Sequence, residues 1–215
     1  MHRAVTIYSD AVQQARDHFE LIYWNDLGIC LGDSFETMGD LSDLKRSIQV
    51  FEDAVVLTPD GHTFKPSCLH NPGNSLLTHF QLLGDLSDLN RSIQVFDDVV
   101  VLTPDGHTDK PSCLNNLGGS FLTRFWQLGD LSDLNRSIQV FEDAVVLTPD
   151  GHTDKPSYLN NLRGSLLTYF QQLGDLSDLN RSIQVRQDAV VLTPDSHTDK
   201  PFHLNNLGNS LLTCF

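Results

Sequence analysis

The stretch GDLSDL begins at Gly39, Gly84, Gly129 and Gly174, a step of 45 residues each time. Residues 85–129 and 130–174 are identical at 38 of 45 positions. A period of roughly 20–50 residues marks a repeat array, in which each unit buries its apolar face only against its neighbours. This constrains the fold more than length does, because an array is not bound by the usual size of a globular domain.

Each unit reads as two helices. Helix B follows the Gly129-Asp130 break, where Asp130 can cap it and Asp133 adds negative charge to its first turn. Leu131, Leu134, Ile138, Phe141 and Val145 then recur on one helical stripe, widened at its end by Ala144, Val146 and Leu147. Thr148-Pro149-Asp150-Gly151 ends the helix. After His152, Thr153 or Asp154 can cap helix A, with Pro156 tolerated in its first turn. Helix A spans about 156–173, with Leu159, Leu162, Leu166, Phe170 and Leu173 as its apolar stripe. Ser157, Asn161, Gly164 and Thr168 form a second face, small and uncharged. The pattern predicts an all-α, right-handed α-solenoid of antiparallel helix pairs.

One motif needs a reason. Asn-Asn-Leu occurs at 115–117, 160–162 and 205–207, within helix A. Asparagine is about 0.6–0.7 kcal/mol worse than alanine in a helix. The second asparagine lies on the neutral face, opposite the leucines, which favours it for ligand contact; the first reads as a tolerated flank. A carboxamide both donates and accepts, so it can pair with a peptide backbone while ignoring side chains. The competing reading is that both asparagines only hold neighbouring helices together.

The formal net charge is -14. That repels phosphate backbones and argues against nucleic acid, while a basic peptide or protein face would be attracted. No apolar run is long enough to span a membrane, and the first residues are too polar for a signal peptide, so the expected location is cytoplasmic. Cys30, Cys68, Cys113 and Cys214 form no CxxC pair and are expected as free thiols. The DGHTDK loops at 105–110 and 150–155 hold Asp and His, but one His per loop fits a turn and a helix cap better than a metal site. Asn90-Arg91-Ser92 matches a glycosylation sequon but falls inside helix B. No nucleophile stands beside a base and no phosphate loop is present, so neither an enzyme nor a cofactor is expected. Pro72 replaces the leucine of LNNL, which predicts that this helix A starts near Asn71 or kinks there.

LNNLG, an aromatic near the end of helix A, the GD that opens helix B and the proline after it resemble a tetratricopeptide repeat (TPR). The usual TPR period is about 34. The longer period here is similar to the repeats of the kinesin light chain, which also carry LNNL and a His/Asp/Pro loop. The near-identical copies further resemble arrays of mushroom-forming fungi, which often accompany a CHAT domain, a caspase-like protease module.

The resemblance implies a protein-interaction scaffold. Helix A would line a concave groove for an extended peptide or partner helix, and Asn71, Asn116, Asn161 and Asn206 would contact the ligand backbone. Asn74, Asn209, Thr78, Thr123, Thr168 and Thr213 would be neighbouring groove positions, with Asp26 interrupting the series in the first unit. The other expectation is a regulatory or self-associating segment of a larger effector whose catalytic domain lies outside this chain. The units read as a degenerate helix over 1–22, repeats over 23–67, 68–112, 113–157 and 158–202, and a further helix A over 203–215. Neither end carries a polar capping unit, which suggests a fragment of a longer array or self-association through the ends.

Overall fold

A computed structural model describes residues 20–58, 65–193, 195, 200, 201, 204, 205 and 207. These contain helices α1 (Glu20–Met38), α2 (Leu41–Leu57), α3 (Lys65–Leu83), α4 (Leu86–Leu102), α5 (Lys110–Leu128), α6 (Leu131–Leu147), α7 (Lys155–Leu173) and α8 (Leu176–Leu192). Odd-numbered helices are the A helices and even-numbered ones the B helices. The chain forms two compact units, divided after Pro104. The first holds α1–α4 and the second α5–α8.

Within each pair the helices are antiparallel, as a two-residue Gly-Asp connection requires. Ser34, late in α1, donates to Asp43, early in α2, while Gly28 accepts from Ser47 further along. The connecting glycine makes the turn. Gly129 and Gly174 adopt left-handed φ values of 72° and 75°, and their N–H groups donate to Phe125 and Phe170. Only glycine adopts this conformation at low cost. The next residue starts the B helix. Asp40, Asp85, Asp130 and Asp175 are extended, and each side chain accepts from a serine N–H two residues on, at 2.8–2.9 Å. Each B helix ends at a buried threonine whose hydroxyl donates to the carbonyl four residues back, as Thr148 does to Ala144 at 2.6 Å.

The start of helix A differs from expectation. Asp109 and Asp154 occupy the cap position with helical backbone angles and make no side-chain cap bond. A cap oxygen reaches the helix N–H groups from extended backbone, which these residues lack. Lysine closes the loop instead. Lys155 Nζ donates to the Thr148 carbonyl at 2.7 Å and to Asp150 at 2.6 Å, tying the start of α7 to the end of α6. Lys200 does the same with Thr193 and Val190 at the end of α8.

Pro72 also departs from expectation. Helix α3 starts at Lys65 and continues helical through Pro72 to Leu83. Pro72 is buried at the place that Leu117 and Leu162 fill in α5 and α7. The burial of its ring and the packing of the flanking turns outweigh the one backbone hydrogen bond that proline forfeits.

The core lies between the helices. Leu44, Ile48 and Leu76 join α2 to α3, and Ile138, Phe141, Leu162 and Leu166 join α6 to α7. A glycine on helix A admits a phenylalanine from helix B. A Cβ on Gly28, Gly73 or Gly118 would lie 2.4, 2.7 or 2.9 Å from the ring of Phe51, Phe96 or Phe141. The apolar stripe of helix B is narrower than its composition suggests. Val146 is 79% exposed, and Val56, Val101 and Val191 are similarly open.

Candidate functional site

The asparagines of the A helices face one another across neighbouring repeats. In the first unit Asn71 Nδ2 donates to Asn25 Oδ1 at 2.8 Å. In the second, Asn161 Nδ2 donates to Asn115 Oδ1 at the same distance. The second asparagine of one repeat thus donates to the first-asparagine position of the repeat before it. The first asparagine is therefore a partner and not a flank. All four side chains are half-buried. Each bond uses one N–H of the donor amide. The chemistry of a carboxamide leaves a second N–H and the remaining acceptor capacity of the oxygen.

The B helices are stitched in parallel. Arg91 of α4 pairs with Glu52 of α2, and Arg181 of α8 pairs with Glu142 of α6. Neighbouring repeats in each unit are thus joined by an amide pair on the A side and an ion pair on the B side.

The expected groove residues are placed unevenly. Asn74 is exposed and Thr78 half-buried on α3. In α5, Asn116 and Thr123 are half-buried, and the Thr123 hydroxyl donates to the Gly119 carbonyl at 2.8 Å. That leaves Thr123 as an acceptor toward any ligand. In α7, Asn161 is half-buried and Thr168 buried. Gly119 and Gly164 stand where α3 has Asn74. A Cβ added at either would meet no atom of the described residues within 4 Å, so space is open beside the amide face. Asn206, Asn209 and Thr213 lie outside the described residues.

The turn in three of the four helix pairs carries a polar contact that the repeat pattern conceals. The second aspartate of GDLSDL is constant, but its partner on helix A varies. Ser34 donates to Asp43 at 2.7 Å, His79 Nδ1 meets Asp88 at 2.6 Å, and Arg124 forks onto Asp133 at 2.6 and 2.8 Å. Asp88 and Asp133 are buried, so these bonds compensate buried charge. The hydrogen bonds to Asp133 hold the Arg124 guanidinium above its usual value, against the opposing effect of burial.

The loops behave as turns. His152 N–H donates to the Pro149 carbonyl, and His152 Nδ1 accepts from the Asp154 N–H at 3.2 Å. Among the described residues no group of His, Cys, Asp and Glu could hold a metal ion. Likewise no helix is long and apolar enough to cross a membrane. Cys30 is a free thiol whose pKa is raised by burial, then by Asp33 and Asp26. Ser92, the last residue of the sequon, is buried and donates to the Gly73 carbonyl at 2.9 Å, so this segment is occupied by packing.

These elements define an all-α array of TPR-like helix pairs. The fold is similar to that of BtubC (BKLC) from P. vanneervenii, with a TM-score of 0.69 and 14% identity over 99% of this chain and 84% of that one. It is also similar to a Podosopora anserina protein of nearly identical TPR-like repeats, named for the kinesin light chain, with a TM-score of 0.65 and 10% identity over 92% of this chain and 88% of that one. MamA of RS-1, as a double mutant, gives a TM-score of 0.60 and 16% identity over 91% and 88% of the two chains. Identities this low establish the kinesin-light-chain-like TPR fold and nothing about ligands. No protein-family model matches the chain, and no curated protein matches it in sequence.

Proposed function

We infer that this chain is a protein-interaction scaffold whose A helices hold an extended peptide segment, with repeats over 23–67, 68–112, 113–157 and 158–202. The observation that carries this reading is the amide face of the A helices. Asn71 and Asn161 each use one N–H on the neighbouring helix, and beside Asn161 the glycine one turn on leaves open space. Locked by that bond, the amide loses little further freedom when it meets a ligand, which favours binding. Its remaining groups match a peptide N–H and C=O. The charge of -14 steers basic partners toward the chain without fixing their sequence.

The test is a displayed library of peptides about 12 residues long, enough in extended form to pass both A helices of one unit, followed by calorimetry on the best binder. Backbone recognition predicts that N-methylating two or three central amides weakens binding tenfold or more, while alanine substitution at most side chains does little. Binding that survives N-methylation but depends on side chains would reject this mode of recognition.

A further inference from the structure

The last residue of helix A is apolar in all four repeats, and the sequence pattern places it on the core stripe. The structure leaves it open. Met38, Leu83, Leu128 and Leu173 are 66, 50, 55 and 52% exposed. All four lie in one range, so the exposure belongs to the repeat. Each stands just before a Gly-Asp turn, and a leucine follows the turn directly. The A–B turn is thus an apolar edge with an aspartate at its centre.

The second unit brings two such turns together. Helix α6 is antiparallel to α7 as it is to α5: Lys155 at the start of α7 reaches the Thr148 carbonyl, and midway along, the hydroxyls of Ser137 and Ser165 lie 3.0 Å apart. The ends of α5 and α7 therefore fall on one edge, about 8–10 Å apart, the spacing of packed helices. Trp126, 59% exposed, adds an indole near Leu128 and packs edge-on against Phe125. Asp130 and Asp175 are exposed on the same edge, and the serine N–H that each accepts holds its carboxyl below the usual range. Residues 126–132 and 171–177 contain no lysine or arginine. Arg124, whose charge reaches Asp130, forks onto Asp133.

A group of exposed apolar side chains rimmed by polar ones marks a surface that another molecule covers. Charge decides which molecule. A second copy would bring Asp130 and Asp175 against their own counterparts, and an anionic lipid surface is repelled in the same way. A partner with lysine or arginine flanking its apolar side chains is attracted on both counts. On a helix, residues i and i+7 share a face about 10.5 Å apart, close to the spacing of the two turns. We propose that the A–B turn edge of the second unit, with Trp126, Leu128 and Leu173 around Asp130 and Asp175, docks a basic amphipathic helix of a partner protein. Asn115 and Asn161 lie in the opposite halves of their helices, so this surface is separate from the amide face.

The experiment follows Trp126 fluorescence in the full chain carrying Trp24→Phe, which leaves Trp126 as its one tryptophan. The probe is an amidated leucine–lysine peptide of about 14 residues with its leucines on one helical stripe, long enough to cross both turns. A saturable blue shift is expected, with affinity about tenfold or more above that of the same residues scrambled. Leu128→Ser/Leu173→Ser alters side chains already half in water and should weaken the probe about tenfold or more. Asp130→Asn/Asp175→Asn keeps the caps and should weaken it severalfold, with a smaller salt dependence. Asn161→Ala should leave it unchanged. Equal binding of the scrambled peptide, no loss in either double variant, or an equal loss in Asn161→Ala would overturn the site. So would a blue shift that grows with protein concentration alone, which assigns the edge to a second copy, or one produced by phosphatidylcholine or phosphatidylglycerol vesicles and not by the peptide, which assigns it to a membrane.

Discussion

Asn161 donates to Asn115 across 2.8 Å, from one A helix to the A helix of the preceding repeat, and Asn71 repeats the bond to Asn25. This explains two poor helix formers side by side. Losing the amide pair would gain helix propensity of about 0.6 kcal/mol at each position. It would also lose a bond worth about 0.5–1.5 kcal/mol. The two effects nearly cancel in single variants. The prediction therefore concerns coupling: a double-mutant cycle with Asn115→Ala and Asn161→Ala, read by urea unfolding, should give about 0.5–1.5 kcal/mol. Strict additivity would show the bond to be absent in solution.

Adjacent glycines should respond with opposite sign. A Cβ at Gly118 would sit 2.9 Å from the Phe141 ring, whereas one at Gly119 meets nothing within 4 Å. Gly119→Ala should stabilise by up to about 1 kcal/mol through helix propensity. Gly118→Ala has the same gain but must overpack a full core, at about 1–3 kcal/mol. A net loss of about 1 kcal/mol is expected. Equal effects in thermal unfolding would contradict the Gly–Phe contact.

The varied partner of the turn aspartate also makes a prediction. Arg124→Ala leaves Asp133 buried without its counterion and should cost about 2–3 kcal/mol. Arg124→Ser should cost less, because Ser34 reaches Asp43 from the same place in α1 at 2.7 Å. Chemical unfolding ranks the three proteins. Serine no better than alanine would mean that the aspartate does not need a donor there.

The B-helix caps predict the response to acid. The Ser132 N–H bonded to Asp130 holds that carboxyl below its usual range, and Ser42 and Ser177 do the same for Asp40 and Asp175. The folded state therefore favours the ionised form. Its contribution is complete above the unfolded carboxyl value of about 3.9 and is lost as pH falls through the lower folded value. Replacing all three by asparagine keeps the cap but removes the titration. The variant should lose less stability than the parent as pH falls from about 4 to about 2. Parallel acid profiles would rule out this origin.

Much of the fold was legible because local chemistry decides it. Gly129 and Asp130 mark a turn and a cap in any context, and the structure places both where the repeat pattern does. Other features depend on neighbours. Asp154 looks like a cap, but its helical backbone withholds the side chain, and Lys155 ties the loop instead. Pro72 looks like a helix start, yet packing carries α3 through it. The Asn pairing needs the stagger between adjacent A helices, which a single repeat does not contain.

The central claim is that Asn161, the second asparagine of its NNL, contacts a ligand in addition to Asn115. Asn161→Ala and Asn115→Ala break the same interhelical bond, but only the first removes the donor amide that lies beside Gly164. The decisive measurement is calorimetry of both variants with the peptide selected on the parent chain. The account predicts at least a tenfold loss of affinity, about 1.4 kcal/mol, for Asn161→Ala and a clearly smaller loss for Asn115→Ala. Equal losses, or no loss in either, would confine these asparagines to holding the repeats together.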